Sequence, residues 1–136
     1  MRIKTTRGII RAKLWVDDAP RTSANLIALA RKKLYDKLTF HRVVPDFVSQ
    51  GGDPRGDGAG GPGYMSPCEI GMRRYDEGVM GMALSGRDTG GSQFFFTHAP
   101  APHLDGRYTA FGEVVSGLDV VSALVEGDVI LELTVE

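Results

Sequence analysis

Cysteine and long apolar runs are scarce in this chain, and neither sign of charge dominates it. One cysteine among 136 residues excludes an internal disulfide framework and agrees with a reducing compartment. No apolar run approaches the roughly 20 residues that a membrane-spanning helix needs, and residues 1–8 contain no apolar stretch suited to secretion. A formal net charge of -1 gives no electrostatic footprint for nucleic acid. We therefore expect a cytoplasmic protein that binds neither nucleic acid nor a membrane.

Glycine is abundant instead, with 18 residues in all. Its densest run, between Gly51 and Gly63, predicts a loop because glycine weakens both helices and strands. A length of 136 residues suits one domain that buries its core without a disulfide or a metal. We expect residues 1–136 to form a single domain that is monomeric, either alone or as part of a longer chain.

The apolar patterns predict two helices and about eight strands, with turn signals throughout. This composition favours a mainly β fold, a closed eight-stranded antiparallel barrel rather than a βαβ sheet. The first helix opens at Pro20, as a first-turn proline, or at Thr22, as an N-cap. The second helix is predicted over residues 118–124, and the strands over residues 2–5, 9–15, 39–44, 47–50, 79–84, 93–97, 108–114 and 129–135.

Residues 40–53 form the first segment with functional information. Arg42 lies among apolar residues, and Val48 and Gln50 share one face of the strand that follows, because alternate strand residues point the same way. An amide in an apolar strand needs hydrogen-bonding partners if it is buried. The segment therefore predicts a site rather than a core strand.

Residues 90–97 form the second such segment. Gln93 and Phe95 share one strand face, whereas Phe94 and Phe96 share the other and are predicted core residues. Together the two segments supply an arginine, two amides and aromatic rings for a shallow apolar groove. Such a groove would bind a peptide and act on it without breaking covalent bonds.

These segments resemble the cyclophilin family of peptidyl-prolyl cis/trans isomerases, and the resemblance runs from about residue 9 to residue 125. It implies an eight-stranded barrel capped by two helices, with the site on an outer sheet face. It also implies an enzyme that uses no metal and no cofactor and that assists protein folding. The matching motifs are Phe40-His41-Arg42, Phe47, Gln50-Gly51-Gly52-Asp53, Gly81-Met82-Ala83, Gly91-Ser92-Gln93-Phe94-Phe95, Leu104-Asp105-Gly106 and Phe111-Gly112.

The resemblance also implies a role for each site residue. Arg42 would be catalytic, because a guanidinium that donates to the prolyl nitrogen favours the twisted peptide bond over the planar one. The partners would be X-Pro segments of unfolded or exposed chain. The implied substrate-binding residues are Phe47, Phe95 and Leu104 around the proline ring, Gln50 and Gln93 on the peptide backbone, and Val48, Ala83, Leu84, His103 and Tyr108 beside them.

Four of these residues depart from the common family pattern. Val48 replaces a methionine, Leu84 an asparagine, His103 a tryptophan that many members use for cyclosporin, and Tyr108 a histidine. None of the changes removes the arginine, so we expect isomerase activity together with weak cyclosporin binding. The natural clients and the preferred residue before proline do not follow from the sequence.

Two alternatives compete with the enzyme. The first is a non-catalytic module that binds proline peptides in the same groove. The second, weaker, is a serine hydrolase built from Ser92, His98 or His103, and Asp105; its serine lacks the glycine pattern of a nucleophile elbow. A dinucleotide site at residues 56–61 fails because Pro62 follows instead of a helix, and the histidines and Cys68 lack zinc-ligand spacing.

Overall fold

The regular elements follow the order that the apolar patterns predict, with small shifts at most borders. A computed structural model of the chain describes residues 1–84 and 90–135. Its elements in chain order are β1 (Arg2–Thr5), β2 (Gly8–Leu14), α1 (Pro20–Arg31), β3 (Arg42–Val44), β4 (Val48–Gly51), β5 (Val79–Met82), β6 (Phe94–Thr97), a 3-10 turn (Pro102–Leu104), β7 (Ala110–Ser116), α2 (Leu118–Ala123) and β8 (Ile130–Thr134).

All eight strands lie in one sheet, in the order β3-β4-β6-β5-β7-β2-β1-β8. Each pair of neighbouring strands in this order is antiparallel. The sheet is an open half-barrel with β3 and β8 at its two edges, so the predicted closed barrel is wrong. The mainly β, antiparallel, two-helix architecture is confirmed.

The gap in the barrel arises where the predicted strand 39–44 divides. Its first part pairs across the gap: Thr39 forms an isolated bridge with Val129, and the Phe40 N–H donates to the carbonyl of Asp128 at 2.8 Å. Only Arg42–Val44 goes on to pair with β4. Because the chain changes partners between these two parts, no ladder between β3 and β8 forms in the described residues.

Helix α1 begins at Pro20, in the first turn, where a missing backbone N–H costs nothing. The first of the two predicted starts is therefore confirmed, and Thr22 lies inside the helix. The residue at the N-cap, Ala19, makes no capping hydrogen bond. Instead the Glu69 carboxylate, from a distant loop, accepts the backbone N–H of Thr22 at 2.5 Å.

The larger core cluster lies between the sheet and the helices. Phe94, Phe96 and Phe111 are fully buried there, as the sequence predicts. Tyr35 and Phe40 meet Phe94 edge to face, with ring centroids 5.5 and 6.4 Å apart. These contacts fix β6, so that the residue between the two core phenylalanines must point to the opposite face of the sheet.

A second apolar cluster covers that opposite face. It contains Phe95 from β6 and Val48 from β4, with further members from the loops around them. Its remaining buried members are Trp15, Tyr75, Val79, Ala101, Leu104 and Ala110, and Val44, Phe47, Ala83 and Tyr108 pack against them. Across residues 1–84 and 90–135, no helix combines the length and the apolar character that crossing a bilayer requires.

Candidate active site

A groove of about 820 Å³ opens over the second apolar cluster. It contains every site residue that the sequence predicts except Gln93, which lines an adjoining hollow of about 380 Å³. Gln50, Ala83 and Leu84 line both and so connect them. The lining of the groove consists of Arg42, Phe47, Val48, Gln50, Cys68, Ile70, Ala83, Leu84, Phe95, His103, Leu104, Gly106, Arg107 and Tyr108.

Aromatic rings shape the apolar pocket of the groove. Phe95 is buried and meets Tyr108 edge to face, with ring centroids 6.1 Å apart. Phe47 lies beside His103, with centroids 5.3 Å apart and ring planes tilted by 32°. Leu104 is buried in the same apolar cluster as Phe95. The arrangement leaves a concave apolar surface with two aromatic walls.

Tyr75 supports this pocket from behind, and sequence reasoning missed it. Its ring stacks on Phe95 at a centroid distance of 5.6 Å, and its hydroxyl donates to the carbonyl of Tyr108 at 3.1 Å. Burial, followed by the negative charge of Asp105, raises the pKa of Tyr75 far above its ordinary value, so the hydroxyl keeps its proton. A lone aromatic within the charged stretch 73–77 is the signal that could have indicated it.

Gly81 explains how Phe95 and Tyr75 come so close to β5. A β-carbon at this position would lie 2.3 Å from Cζ of Phe95 and 2.5 Å from the hydroxyl of Tyr75. Only glycine therefore leaves room for the stacked pair. The Gly81-Met82-Ala83 segment thus positions a pocket wall as well as lining the groove.

A chain of polar side chains runs along one side of the pocket. Arg42 and Gln50 face each other in the β3–β4 register, and Nη1 of Arg42 lies 3.4 Å from Oε1 of Gln50. Nε2 of Gln50 donates to Oε1 of Gln93 at 2.9 Å. Nε2 of Gln93 in turn donates to the carbonyls of Gly58 and Gly60, at 3.0 and 2.9 Å. The two amides are therefore held in one orientation.

Charge in the groove is positive. Arg42 and Arg107 both line it, and its described lining includes no carboxylate. No group of three or more His, Cys, Asp or Glu residues within 1–84 and 90–135 is placed to hold a metal ion. The groove therefore offers cations, amides and apolar surface to a ligand.

The residues of the hydrolase alternative do not come together. The Ser92 hydroxyl is buried and donates to the carbonyl of Gly52 at 2.6 Å. His98 lies instead against the hydroxyl of Ser49, with Nε2 at 2.6 Å. Asp105 accepts the backbone N–H of Tyr75 at 2.7 Å. The triad is therefore not assembled.

Sequence reasoning also missed four lining residues. Cys68 and Ile70 come from the long loop between β4 and β5. The sequence of this loop has no periodicity that indicates which of its side chains face the groove. Gly106 closes the Leu104-Asp105-Gly106 motif but was not predicted as a site residue, and Arg107 directly follows that motif, so adjacency was a usable signal for both.

An open antiparallel sheet whose outer face carries an apolar pocket, two fixed amides and a guanidinium offers the groups that suit a peptide ligand. The family model described as cyclophilin type peptidyl-prolyl cis-trans isomerase/CLD matches residues 1–134. This chain belongs to that family and is a peptidyl-prolyl cis-trans isomerase. The curated relatives below carry the same activity in their names.

Two bacterial relatives are similar over nearly the whole chain. A peptidyl-prolyl cis-trans isomerase of Synechococcus elongatus is 50% identical over 135 residues, which cover 98% of this chain and 93% of the relative. Peptidyl-prolyl cis-trans isomerase B of Bacillus subtilis is 50% identical over 129 residues, which cover 93% of this chain and 90% of the relative.

Solved structures agree on the fold. The cyclophilin-type isomerase of Cryptosporidium parvum, crystallised in the presence of the dipeptide Ala-Pro, matches with a TM-score of 0.85 and 30% identity over 95% of this chain and 96% of that one. A cyclophilin from Hirschia baltica matches with a TM-score of 0.89 and 21% identity, over 96% of this chain and 71% of that one. The second likeness concerns the fold alone.

Proposed function

We propose that Arg42 is the catalytic residue and that it donates a hydrogen bond to the prolyl nitrogen during rotation. Rotation about a peptide bond faces a barrier of about 18–20 kcal/mol because the C–N bond has partial double-bond character. In the twisted state the nitrogen loses this conjugation, and its lone pair becomes available as an acceptor. A donor placed there stabilises the transition state more than either planar isomer.

The contact between Arg42 and Gln50 is the observation that carries this proposal. Arg42 is exposed at the edge of the sheet, and a long side chain there would otherwise be free to swing into solvent. Oε1 of Gln50 gives one end of the guanidinium an acceptor at 3.4 Å. The remaining N–H groups stay available to a ligand in the groove.

The aromatic pocket is the proposed site of the proline ring. Phe47, Phe95 and Leu104 line the same groove as Arg42, so we expect a ring bound against them to bring its nitrogen within reach of the guanidinium. Gln50 and Gln93 would bond to the peptide backbone. The flanking residues of the substrate would contact the remaining predicted lining, Val48, Ala83, Leu84, His103 and Tyr108.

The proposed substrates are X-Pro segments of unfolded or exposed chain, and the proposed role is assistance to folding. X-Pro bonds exchange over tens of seconds or longer, which makes them slow steps in folding. The structure of the Cryptosporidium parvum protein in the presence of the dipeptide Ala-Pro supports the proposal that this chain binds proline peptides. No observation on this chain favours a non-catalytic binding module.

The remaining proposals concern the setting of the enzyme. A single cysteine and a balanced charge support a cytoplasmic location. We also propose that residues 1–136 form one domain that is monomeric, and that cyclosporin binds weakly because His103 replaces a tryptophan.

The test is the cis-to-trans relaxation of an X-Pro peptide. We expect the protein to accelerate it and Arg42→Ala to lower kcat/KM at least tenfold, which is about 1.4 kcal/mol of transition-state stabilisation. Arg42→Lys should recover only part of the loss, because an ammonium lacks the rigid planar fork of donors.

Arg74→Ala is the matched control, since it removes an exposed arginine that does not line the groove. Far-ultraviolet circular dichroism should show that each variant stays folded. An Arg42→Ala protein that isomerises the peptide as fast as the parent would overturn the mechanism. If the parent bound the peptide without accelerating its isomerisation, the non-catalytic binding module would be favoured.

A further inference from the structure

Asp53 is a buried carboxylate that the mechanism above does not use. Only 1% of its surface is exposed. It directly follows the glycine pair that ends β4, and it accepts three backbone N–H groups of the loop beyond. These come from Arg55 at 2.8 Å, Asp57 at 3.0 Å and Gly58 at 2.5 Å. One side chain thus sets the shape of the loop at residues 55–60.

The same loop determines which way the two glutamine amides point. Both protons of the Gln93 amide are directed to loop carbonyls, those of Gly58 and Gly60. Its oxygen is therefore the atom that faces Gln50, and Gln50 must donate through Nε2. That leaves Oε1 of Gln50 as the acceptor for Arg42.

If the loop carbonyls were lost as acceptors, nothing would fix which end of the Gln93 amide faces Gln50. Gln93 could then rotate its amide and offer Nε2 to Gln50. Gln50 would accept through Oε1 and turn its own NH2 group towards Arg42. Two donors would face each other, and the guanidinium would have no acceptor to hold it at the edge of the pocket.

We propose that Asp53 is a positioning residue for Arg42, acting through the loop at residues 55–60 and the Gln93–Gln50 amide pair. This inference rests on the proposed role of Arg42. It adds that the orientation of the arginine is set by a carboxylate outside the groove.

The surroundings of Asp53 fit a carboxylate that is ionised at neutral pH. Burial raises the pKa of this carboxyl, but hydrogen bonds from the backbone N–H groups of the loop, that of Arg55 first, more than offset the effect, so the pKa lies below its ordinary value. The packing is also close at Gly60, where a β-carbon would lie 2.0 Å from Oδ1 of Asp53. The carboxylate therefore needs a glycine at this position.

The first test substitutes Asp53→Asn, which keeps the shape but turns one acceptor oxygen into a donor. We expect kcat for the X-Pro peptide to fall about tenfold, less than the roughly hundredfold that a 1 Å misplacement can cost, with KM changed much less. Asp128→Asn is the matched control. Asp128 also binds backbone and side-chain donors, but it lies at the turn before β8. The Asp128→Asn variant should be less stable than the parent but should keep its kcat.

The second test avoids the buried charge. Gly60→Ala forces the loop away from Asp53 without removing a hydrogen-bonding group, and we expect the same loss in kcat. Gly71→Ala is its control, since a β-carbon there has no neighbour within 4 Å. If Asp53→Asn fails to fold, the Gly60→Ala comparison still decides the proposal.

A double-mutant cycle with Arg42→Ala separates positioning from general damage. If Asp53 acts through Arg42, adding Asp53→Asn or Gly60→Ala to Arg42→Ala should cause almost no further loss. Losses that multiply would overturn the inference, as would an unchanged kcat in both single variants. An Arg42→Ala variant with full activity would instead overturn the proposed mechanism itself, so the two failures are distinguishable.

Discussion

At the scale of single residues, the rim of the groove sets ligand preference, and His103 is the clearest case. Its exposed ring lies beside Phe47 and next to the pocket that Phe95 lines. A tryptophan would offer a larger apolar face and an N–H donor, whereas imidazole carries a heavier desolvation cost. We therefore expect cyclosporin to inhibit weakly and His103→Trp to lower its inhibition constant about ten- to a hundredfold, as measured by inhibitor titration.

Peptide turnover should respond differently to the same change. A short proline peptide places its ring deeper, against Phe95 and Leu104, so kcat/KM should change little in His103→Trp. His103→Ala, which removes the ring, should bind the drug more weakly than the parent. Tight inhibition of the parent, or no gain from the tryptophan, would show that another contact limits binding.

Phe47, Leu104 and most of the other lining residues were predicted from the resemblance to the family. Alternation along a short strand, which decides which side chains share a face, predicted the groove face only for Val48 and Gln50 and for Gln93 and Phe95. This argument correctly separated Phe95 from the core residues Phe94 and Phe96. It gave no information about Tyr75 or Asp53. Their importance depends on partners brought together by the fold, and a pattern within one strand does not contain such partners.

At the scale of elements, helix α1 depends on a loop far away in the sequence. The Glu69 carboxylate accepts the backbone N–H groups of Arg21 and Thr22, at 3.1 and 2.5 Å, and the hydroxyl of Thr22 at 2.8 Å. It thus replaces the side-chain cap that Ala19 lacks. We expect Glu69→Ala to lower the free energy of unfolding by about 1–2 kcal/mol, as for the loss of a cap, measured by urea denaturation.

The control for this prediction is Glu77→Ala, which removes an exposed glutamate from the same loop. It should change the free energy of unfolding by less than about 0.5 kcal/mol, the usual range for surface substitutions. Equal effects of the two substitutions would mean that the contact with α1 contributes nothing to stability.

The borders of most elements could be predicted because apolar periodicity and turn residues are local signals. The remote cap could not, because the sequence between Thr22 and Glu69 does not indicate that they meet. The predicted strand 39–44 failed for the same reason. Its pattern suits pairing along its whole length, but Thr39 bridges to Val129 and only Arg42–Val44 pairs with β4.

At the scale of the whole molecule, strand number alone does not decide closure. Eight strands are sufficient for a small closed barrel, which made that prediction reasonable. The structure instead leaves β3 as a three-residue edge that carries Arg42. A very short, charged edge strand resists pairing with another chain, and it leaves the guanidinium accessible from solvent.

At acid pH, the stability of the whole molecule should respond to three groups with shifted pKa values, Asp128, Asp53 and His98. Burial raises the pKa of Asp128, but the backbone N–H of Val125, together with Arg7 and Thr6, outweighs it, and the pKa lies below the ordinary value. The pKa of Asp53 is lowered as well. Burial also lowers the pKa of His98, and the nearby Asp46 carboxylate only partly opposes this.

These shifts predict that stability falls in two stages as the pH decreases. The first begins near 6.5, the ordinary value for histidine, because the unfolded chain then binds a proton that half-buried His98 resists. The second begins near 3.8, the ordinary value for aspartate, and continues as the pH falls through the lowered folded-state pKa values of Asp53 and Asp128.

Urea midpoints measured against pH should show both stages. His98→Asn should remove the first and Asp128→Asn should weaken the second. If the first stage survives in His98→Asn, a different group causes it. If the second stage is unchanged in Asp128→Asn, the hydrogen bonds of Asp128 do not stabilise the fold.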